Sequence, residues 1–225
     1  MDKQKQRNIL NLLIFVFAVI AILLDVTGNS FYYLFKPLTT MLVILLPLMI
    51  KELERDYKRT LIWALCFCLL GDILLLDEDY FVFGLGSFLI GHLLFARGFI
   101  KLGGYQNNGI ALIVLLIIGI ALYTWLYPDL GPLKYPVAAY VLVILFMAWQ
   151  GISLYLKNNT IAYALIAMGV VLFMFSDSMI AVNKFKAPFA LSGVVILSTY
   201  WLAIALIANT GVRISKKGNQ DTYNC

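Results

Sequence analysis

The sequence predicts an all-α membrane protein, a bundle of eight transmembrane helices, and three observations lead to this prediction. Of the 225 residues 62% are hydrophobic, and the mean hydropathy is +0.90. Only 13% of the residues are charged, whereas a soluble domain carries about a quarter. The chain also divides into eight apolar segments, each close to the ~20 residues that a helix needs to cross ~30 Å of hydrocarbon.

The apolar segments are separated by short breaks with turn or charge signals, such as DVTGNS, KELERDYKR and YPDLGP. Because the connections are short, consecutive helices are expected to be antiparallel neighbours. We predict one domain over residues 1–210 and a polar, disordered cytoplasmic tail over 211–225. The predicted spans are 9–24, 32–50, 60–76, 80–100, 109–127, 135–153, 160–180 and 188–208.

The basic residues predict the orientation, because Lys and Arg are enriched in cytoplasmic loops. With the N-terminus in the cytoplasm, all but four of the 17 Lys and Arg residues fall on the inner side. We therefore predict a multi-pass protein with both termini in the cytoplasm and the acidic run 77–79 in an outer turn. The net charge of +5 lies in loops and tails, so no nucleic-acid partner is expected. The four outer residues are Lys36, Lys134, Lys184 and Lys186.

A weak internal similarity relates the two halves of the chain. FCLLGDILLL in the third segment and LFMFSDSMIA in the seventh each place a small residue before an Asp. Lys36-Pro37 and Tyr135-Pro136 open the second and the sixth segments. These pairs are consistent with a four-plus-four parallel repeat about an axis along the membrane normal. Chance similarity between Leu- and Phe-rich helices is the alternative.

No metal or cofactor site is expected from the residue types. Cys66 and Cys68 lie two residues apart in an apolar helix, so they point in different directions. Cys225 is terminal, and three cysteines give no disulfide framework. The single histidine, His92, has no cluster of further ligands near it in the sequence.

Ionisable residues inside the apolar segments are the first candidates for function. An Asp at a helix centre costs about 2.5 to 3.5 kcal/mol on insertion scales, so such residues usually face the bundle interior. Asp72 and Asp177 lie near the outer ends of the third and seventh spans, and Lys36 lies near the outer end of the second. At ~1.5 Å per residue, all three are predicted in one layer about 6 Å below the outer edge.

His92 and Tyr200 are predicted in a deeper tier, ~18 Å below the same edge, and Asn183 is assigned to the outer loop. Ordinary structural roles exist for each of these residues. A carboxylate near a span end can be solvated, and Lys36 can extend its long side chain to the interface. His92 can pack in the core bonded to a carbonyl, and Tyr200 can belong to an aromatic helix face.

The two aspartates are the strongest functional signal. Two carboxylates in a poorly solvated layer cannot both stay ionised at low cost, which favours one neutral acid beside one carboxylate. Acid-assisted hydrolysis uses this division, and a proton relay in a transporter uses the same residues. From the residues alone, both a hydrolase and a small proton-coupled transporter or lipid-binding membrane protein remain open.

Four segments in order, FKPLTTMLVILLP, LLGDILLL, FGLGSFLIGHLLFARGF and FSDSMIAVNKF…TYWLA, resemble the YhhN family of bacterial membrane proteins. The family's animal relatives are lysoplasmalogenases. Each motif is short, but their order over residues 9–208 is much more specific. The resemblance implies a bacterial inner-membrane hydrolase that opens the sn-1 vinyl ether of lysoplasmalogen, giving a fatty aldehyde and glycerophosphoethanolamine or glycerophosphocholine.

The resemblance further implies that Asp72 and Asp177, the aspartates of the GD and SD motifs, are catalytic. Lys36, His92, Tyr200 and Asn183 are then candidates for supporting or substrate-binding roles. Vinyl ether hydrolysis fits two carboxyl groups, because it needs an acid that protonates carbon and an anion beside the developing oxocarbenium ion. Glycosidases follow the same two-carboxylate logic. The reaction requires neither a metal nor a cofactor, and which aspartate is the acid stays open.

Overall fold

The computed structural model describes residues 3–50 and 53–223, and over these residues all regular secondary structure is helical. The prediction of an all-α fold is therefore confirmed. Eight α-helices alternate with short turns, and a π-helical turn at Val182–Lys186 follows the seventh. The α-helices are α1 Lys3–Val26, α2 Tyr32–Leu48, α3 Arg55–Leu74, α4 Phe81–Gly103, α5 Gly109–Leu126, α6 Lys134–Asn158, α7 Ile161–Ala181 and α8 Ser192–Tyr223.

Local polar residues define several helix starts. The Glu54 carboxylate accepts hydrogen bonds from the amides of Asp56 and Tyr57 at the start of α3. Asn108 caps α5 and Thr160 caps α7 in the same way, which satisfies amides that have no partner inside the helix. The observed helices extend beyond the predicted spans where the polar flanks also have helical backbone. Hydropathy detects the apolar run and not the end of the helix.

Among the described residues, six helices are long and apolar enough to cross a membrane. Helix α2 is shorter, and α3 begins with charged residues. The chain is thus a multi-pass membrane protein. By helix length and composition, six of the eight predicted spans are found among the described residues. The six segments are Gln4–Val26, Glu78–Gly103, Gly109–Asp129, Gly131–Asn158, Ile161–Lys186 and Ser192–Thr210.

The helices pack mostly against their neighbours in the chain, and further contacts close the bundle. Helix α2 packs on α1, α3 and α8, and α6 packs on α5, α7 and α4. The tightest pairs are α3 with α4 and α7 with α8. In both pairs a glycine faces the backbone of the partner helix, Gly91 against Ala64 and Gly169 against Ala203. Small residues let membrane helices approach closely where no hydrophobic driving force acts between them.

Some predictions fall partly outside the described residues. Lys51 and Cys225 lie outside the described residues. The backbone of α8 is described through Tyr223, which includes most of the segment predicted to be a polar tail. The separate tail stays a prediction.

Replacing Gly169 with alanine is expected to destabilise the α7–α8 pair. A Cβ atom there would lie 2.6 Å from Cγ1 of Ile207 and 3.0 Å from the Ala203 carbonyl oxygen, and such overpacking costs about 1–3 kcal/mol. Gly86→Ala, also inside a helix, is the matched control, because its Cβ would meet no atom within 4 Å. Thermal unfolding in detergent should show a lower Tm for Gly169→Ala only; equal Tm values would contradict this packing.

Candidate functional site

A cavity of about 510 Å³, here called the polar cavity, lies where α1, α3 and α7 end and α2, α4 and α8 begin. It brings together residues that are far apart in the sequence, including most of the predicted site residues. Only His92 among the six is absent from its lining, and it lies directly behind Asp177. The polar lining includes Asp25, Tyr32, Lys36, Asp72, Asp177, Asn183, Lys184 and Tyr200.

Asp72 is 1% exposed and is held by two hydroxyl groups from different helices. Thr40 of α2 donates a hydrogen bond to Oδ2 at 2.5 Å, and Tyr200 of α8 donates to the same oxygen at 2.8 Å. The indole of Trp201 donates to Thr40 Oγ1 at 3.2 Å. Because an indole N–H can only donate, the Thr40 hydroxyl is free to direct its own proton to Asp72. This arrangement favours an ionised carboxylate.

Asp177 has a different pair of partners. Tyr140 of α6 donates to its Oδ2 at 2.5 Å, and Nε2 of His92 lies 3.5 Å from the same oxygen. The His92 ring is fully buried against Phe173, and neither ring nitrogen has a hydrogen-bond partner among the described residues. Asp177 thus receives one strong hydrogen bond and lies beside an imidazole in apolar surroundings.

The two carboxylates occupy related positions in the fold. Each lies near the end of a helix, and each accepts a hydroxyl from the helix that precedes it, Thr40 for Asp72 and Tyr140 for Asp177. Each also has a ring from the other half of the chain beside it, Tyr200 of α8 and His92 of α4 respectively. The chain therefore builds two similar carboxylate environments with different side chains.

Lys36 accompanies only one of these environments. Its side chain is 6% exposed and faces the polar cavity, where its charge interacts with those of Asp72 and Asp25. It has no hydrogen bond or ion pair with any described residue. The corresponding residue of the other half, Tyr135 in the Tyr-Pro pair, is 87% exposed. The Lys36 side chain is long enough to extend to the membrane interface. In the structure it lies inside the bundle instead.

The predicted deeper tier is not observed, because Tyr200 and His92 contact the aspartates directly. Side chains on a helix lean toward its N-terminus. Tyr200 and His92 lie on helices that start at the cavity end, so they lean toward it. Asp72 and Asp177 lie on helices that end there and lean away from it. An estimate from backbone rise alone omits this convergence of side chains from antiparallel helices.

An aromatic floor closes the polar cavity below the carboxylates. Phe88, Phe173 and Tyr200 pack edge to face, with ring centroids between 5.4 and 6.3 Å apart. Gly71, the glycine of the GD motif, lies against the Phe88 ring, and a Cβ atom there would come within 2.6 Å of it. The glycine before Asp72 therefore makes room for an aromatic ring that packs beside the site.

A second, narrower cavity of about 60 Å³ lies between α4, α5, α6 and α7, and we call it the apolar groove. Helix α5 packs mainly on α6, which leaves space between α5 and α4. Tyr140 and Asp177 lie at the polar end of the groove. Of the carboxylates in the described part of the chain, Asp177 alone lines both the groove and the polar cavity. The remaining groove lining includes Leu85, Ile118, Leu122, Val141, Ile144 and Met174.

The rim of the polar cavity carries paired charges. Lys184 forms a solvent-exposed ion pair with Glu78 at 3.1 Å. Asn183 lies in the π-helical turn, and its Oδ1 accepts a hydrogen bond from the Phe189 amide at 3.3 Å. Asn183 therefore shapes the turn between α7 and α8 at the rim.

Sequence reasoning missed three polar residues at the site, Thr40, Tyr140 and Asp25. Hydroxyl side chains inside apolar helices often bond to their own backbone, as Thr39 does with the Phe35 carbonyl at 2.8 Å, so they attract little attention. Asp25 was counted with a turn, but it lines the polar cavity and packs against Gly193 at the start of α8. The KPLTT motif, which contains Thr40, and the YP motif, which precedes Tyr140 by four residues, were the available sequence signals for these two hydroxyls.

Comparison with known proteins adds a family match. The model of the YhhN family matches residues 31–211, which is most of the chain. A Bos taurus protein named Lysoplasmalogenase TMEM86A is 37% identical over 157 residues, covering 66% of this chain and 63% of the relative. Homo sapiens Lysoplasmalogenase TMEM86B is 31% identical over 159 residues, covering 70% and 65%.

A bacterial relative, a Mycobacterium tuberculosis protein named Lysoplasmalogenase, is 32% identical over 137 residues, covering 57% of this chain and 51% of the relative. The chain therefore spans less than two thirds of the length of these relatives. No solved structure matches the chain.

Thr40→Val is expected to lower the Tm in detergent by more than Thr39→Val. The two threonines are adjacent and fully buried, but only Thr40 joins Asp72 to Trp201 across three helices. Its loss leaves buried polar groups with fewer partners, at a cost of about 1–3 kcal/mol. Thr39→Val, which loses only a bond within its own helix, is the control. Equal Tm losses in the two variants would contradict a special role for the Thr40 hydroxyl.

Proposed function

This chain belongs to the YhhN family, and from that premise we propose that it is a membrane-embedded lysoplasmalogenase. The substrate carries one hydrocarbon chain, linked to glycerol through a vinyl ether, and the products are a fatty aldehyde and glycerophosphoethanolamine or glycerophosphocholine. One observation carries the proposal: two carboxyl groups from different helices line one polar cavity, which meets an apolar groove at Asp177. The relatives named as lysoplasmalogenases support the same activity.

The two cavities match the two parts of a single-chain lipid. The glycerophospho head group occupies the polar cavity, where Lys36 is the buried cation that faces its phosphate. The first carbons of the hydrocarbon chain enter the apolar groove, among side chains such as Ile118, Leu122 and Ile144, because its volume of about 60 Å³ holds only a few carbon atoms. This placement brings the vinyl ether, which joins head group and chain, to the carboxyl groups.

Asp72 and Asp177 then supply the chemistry. A vinyl ether has no acyl carbon, so the slow step is protonation of the vinyl carbon distal to oxygen, and this step needs a general acid. The resulting oxocarbenium ion is stabilised by an anion held close to it. Water from the polar cavity adds to the cation, and the hemiacetal breaks down to aldehyde and alcohol. The reaction proposed here uses carboxyl groups in place of a metal.

The remaining site residues hold this pair in position. Tyr200 orients Asp72, and His92 flanks Asp177 on the side away from the polar cavity. Lys36 places a positive charge beside Asp72 and the head group. Asn183 supports the rim of the cavity through its bond to the turn before α8.

We further propose that all eight helices span the cell membrane, with both termini in the cytoplasm and the polar cavity at the outer side. Helices α2 and α3 pack within the same bundle as the six longer apolar helices. The charged start of α3 lies at the end opposite the polar cavity, as the positive-inside rule requires. In a four-plus-four repeat, α2, α3 and α8 correspond to α6, α7 and α4. Helix α2 packs on α3 and α8, and α6 packs on α7 and α4, which supports the repeat.

Purified protein is expected to release aldehyde from lysoplasmalogen. Asp72→Asn or Asp177→Asn should lower the rate of release at least 100-fold, because a general acid or base typically accelerates a reaction about 10²–10⁴-fold. Asp56→Asn is the control, since Asp56 pairs with Lys101 on the opposite end of the bundle. Absence of aldehyde with folded wild type would refute the activity. Full rates in both aspartate variants would refute the proposed chemistry.

A cysteine introduced at Glu78 is expected to react from outside the cell with a membrane-impermeant maleimide, in a background without native cysteines. Glu78 lies at the exposed rim of the polar cavity. Lys157→Cys, at the opposite end of the bundle, is the control and should react only after the membrane is opened. The reverse pattern would invert the proposed orientation.

A further inference from the structure

The two carboxyl environments differ in a way that separates their roles. Asp72 is 1% exposed and the Asp177 side chain is 9% exposed, and both receive a hydroxyl and a ring. We infer that Asp177 is the carboxylic acid of the pair and that Asp72 is the carboxylate. The use of this proton in vinyl ether hydrolysis rests on the proposed function, whereas the location of the proton follows from the surroundings of the two groups.

The surroundings of Asp72 favour the anion. Two hydroxyls donate to its Oδ2, and the Trp201 bond to Thr40 directs one of them. Hydrogen bonds to a charged group are roughly twice as strong as neutral ones. Lys36 adds a buried positive charge that acts on Asp72. Without the Asp72 anion, this ammonium would depend on the half-buried Asp25 for a compensating charge.

The surroundings of Asp177 favour the neutral acid. It accepts one hydroxyl, from Tyr140, and no Lys or Arg in the described chain lies within ion-pair distance of it. The adjacent His92 is fully enclosed and has no hydrogen-bond partner in that part, and burying an unpaired charge there would be costly. A neutral Asp177 places no charge beside the enclosed imidazole, and its Oδ2 still accepts the Tyr140 hydroxyl.

Among the described titratable groups, Lys36 is the one positive charge that acts on either carboxyl group, and it acts on Asp72. The buried Cys68 of α3 interacts with both carboxyl groups and so does not distinguish them. The groups facing Asp72 are Tyr32 and Lys36 from α2, Cys68 from α3 and Tyr200 from α8. Those facing Asp177 are Cys68 from α3, His92 from α4 and Tyr140 from α6.

The position of Asp177 also suits a proton donor. It is the carboxyl group that borders the apolar groove, and the atom to be protonated is the vinyl carbon on the hydrocarbon side of the ether. Asp72 lines the polar cavity but not the groove. It is therefore on the side from which water arrives.

The assignment gives a balanced reaction. Asp177 transfers its proton to the distal vinyl carbon, and the carbon next to oxygen becomes the oxocarbenium ion. Water adds to this carbon and gives a proton to Asp72. Asp177 then takes the proton of the new hydroxyl as the aldehyde forms, and Asp72 protonates the departing glycerol oxygen. Both groups return to their starting states, and one water is consumed without any oxidant.

Infrared spectroscopy of the purified protein at neutral pH tests the inference, because a protonated carboxyl group has a carbonyl band that a carboxylate lacks. We expect this band in the wild type, its loss in Asp177→Asn and its retention in Asp72→Asn. Asp56→Asn is the control and should leave the band unchanged. Loss of the band in Asp72→Asn alone, in both variants or in neither would overturn the inference.

A milder pair of variants covers the case in which an aspartate variant does not fold. Tyr140→Phe removes the hydroxyl bonded to Asp177, and Tyr200→Phe removes one bonded to Asp72. The carbonyl band should shift in Tyr140→Phe and not in Tyr200→Phe; the opposite result would overturn the assignment. The band is measured without substrate, so absence of aldehyde release would refute the proposed function and leave the assignment standing. If the protein releases aldehyde but the carbonyl band is lost in Asp72→Asn instead of Asp177→Asn, only the assignment is refuted.

Discussion

The structure depends on one constraint: two carboxyl groups lie inside a bundle of apolar helices, and each must find polar partners within the protein. Asp72 obtains them from α2 and α8, and Asp177 obtains them from α4 and α6. These partners come from both halves of the chain, so the need to satisfy two side chains ties four helices to the two that carry the aspartates. The contacts that form the site therefore also hold the helices of the bundle together.

The packing around the carboxyl groups follows from this constraint. Glycines bring α3 to α4 and α7 to α8 at close distance, so that Phe88 and Phe173 can form the floor of the polar cavity. These rings place apolar surface beside the carboxyl groups, which raises the cost of any unpaired charge there. The site thereby strengthens its own hydrogen bonds, because electrostatic interactions are stronger in a medium of low polarity.

The two carboxyl environments are similar, so the few differences between them, Lys36 and the apolar groove, distinguish the chemistry of the two groups. A duplicated framework would hold two equivalent acids, but Lys36 accompanies only Asp72, and the apolar groove reaches only Asp177. The proposed acid and carboxylate differ in this way within nearly the same arrangement of helices. The proposed substrate, a lipid with one chain and a polar head, has the same asymmetry, with its reactive bond between the two parts.

The sequence by itself determined the all-α class and the positions of eight helices, and it singled out Asp72, Asp177 and Lys36 as candidate site residues. Apolar runs, turn signals and the cost of charge in hydrocarbon all act locally, so they can be read from one chain. Only the tertiary structure decided that Thr40 and Tyr140 are partners of the aspartates, that Tyr200 and His92 lie beside them, and that the apolar groove ends at Asp177. These facts depend on which helices become neighbours and on the direction in which their side chains lean, and helix periodicity alone does not contain that information.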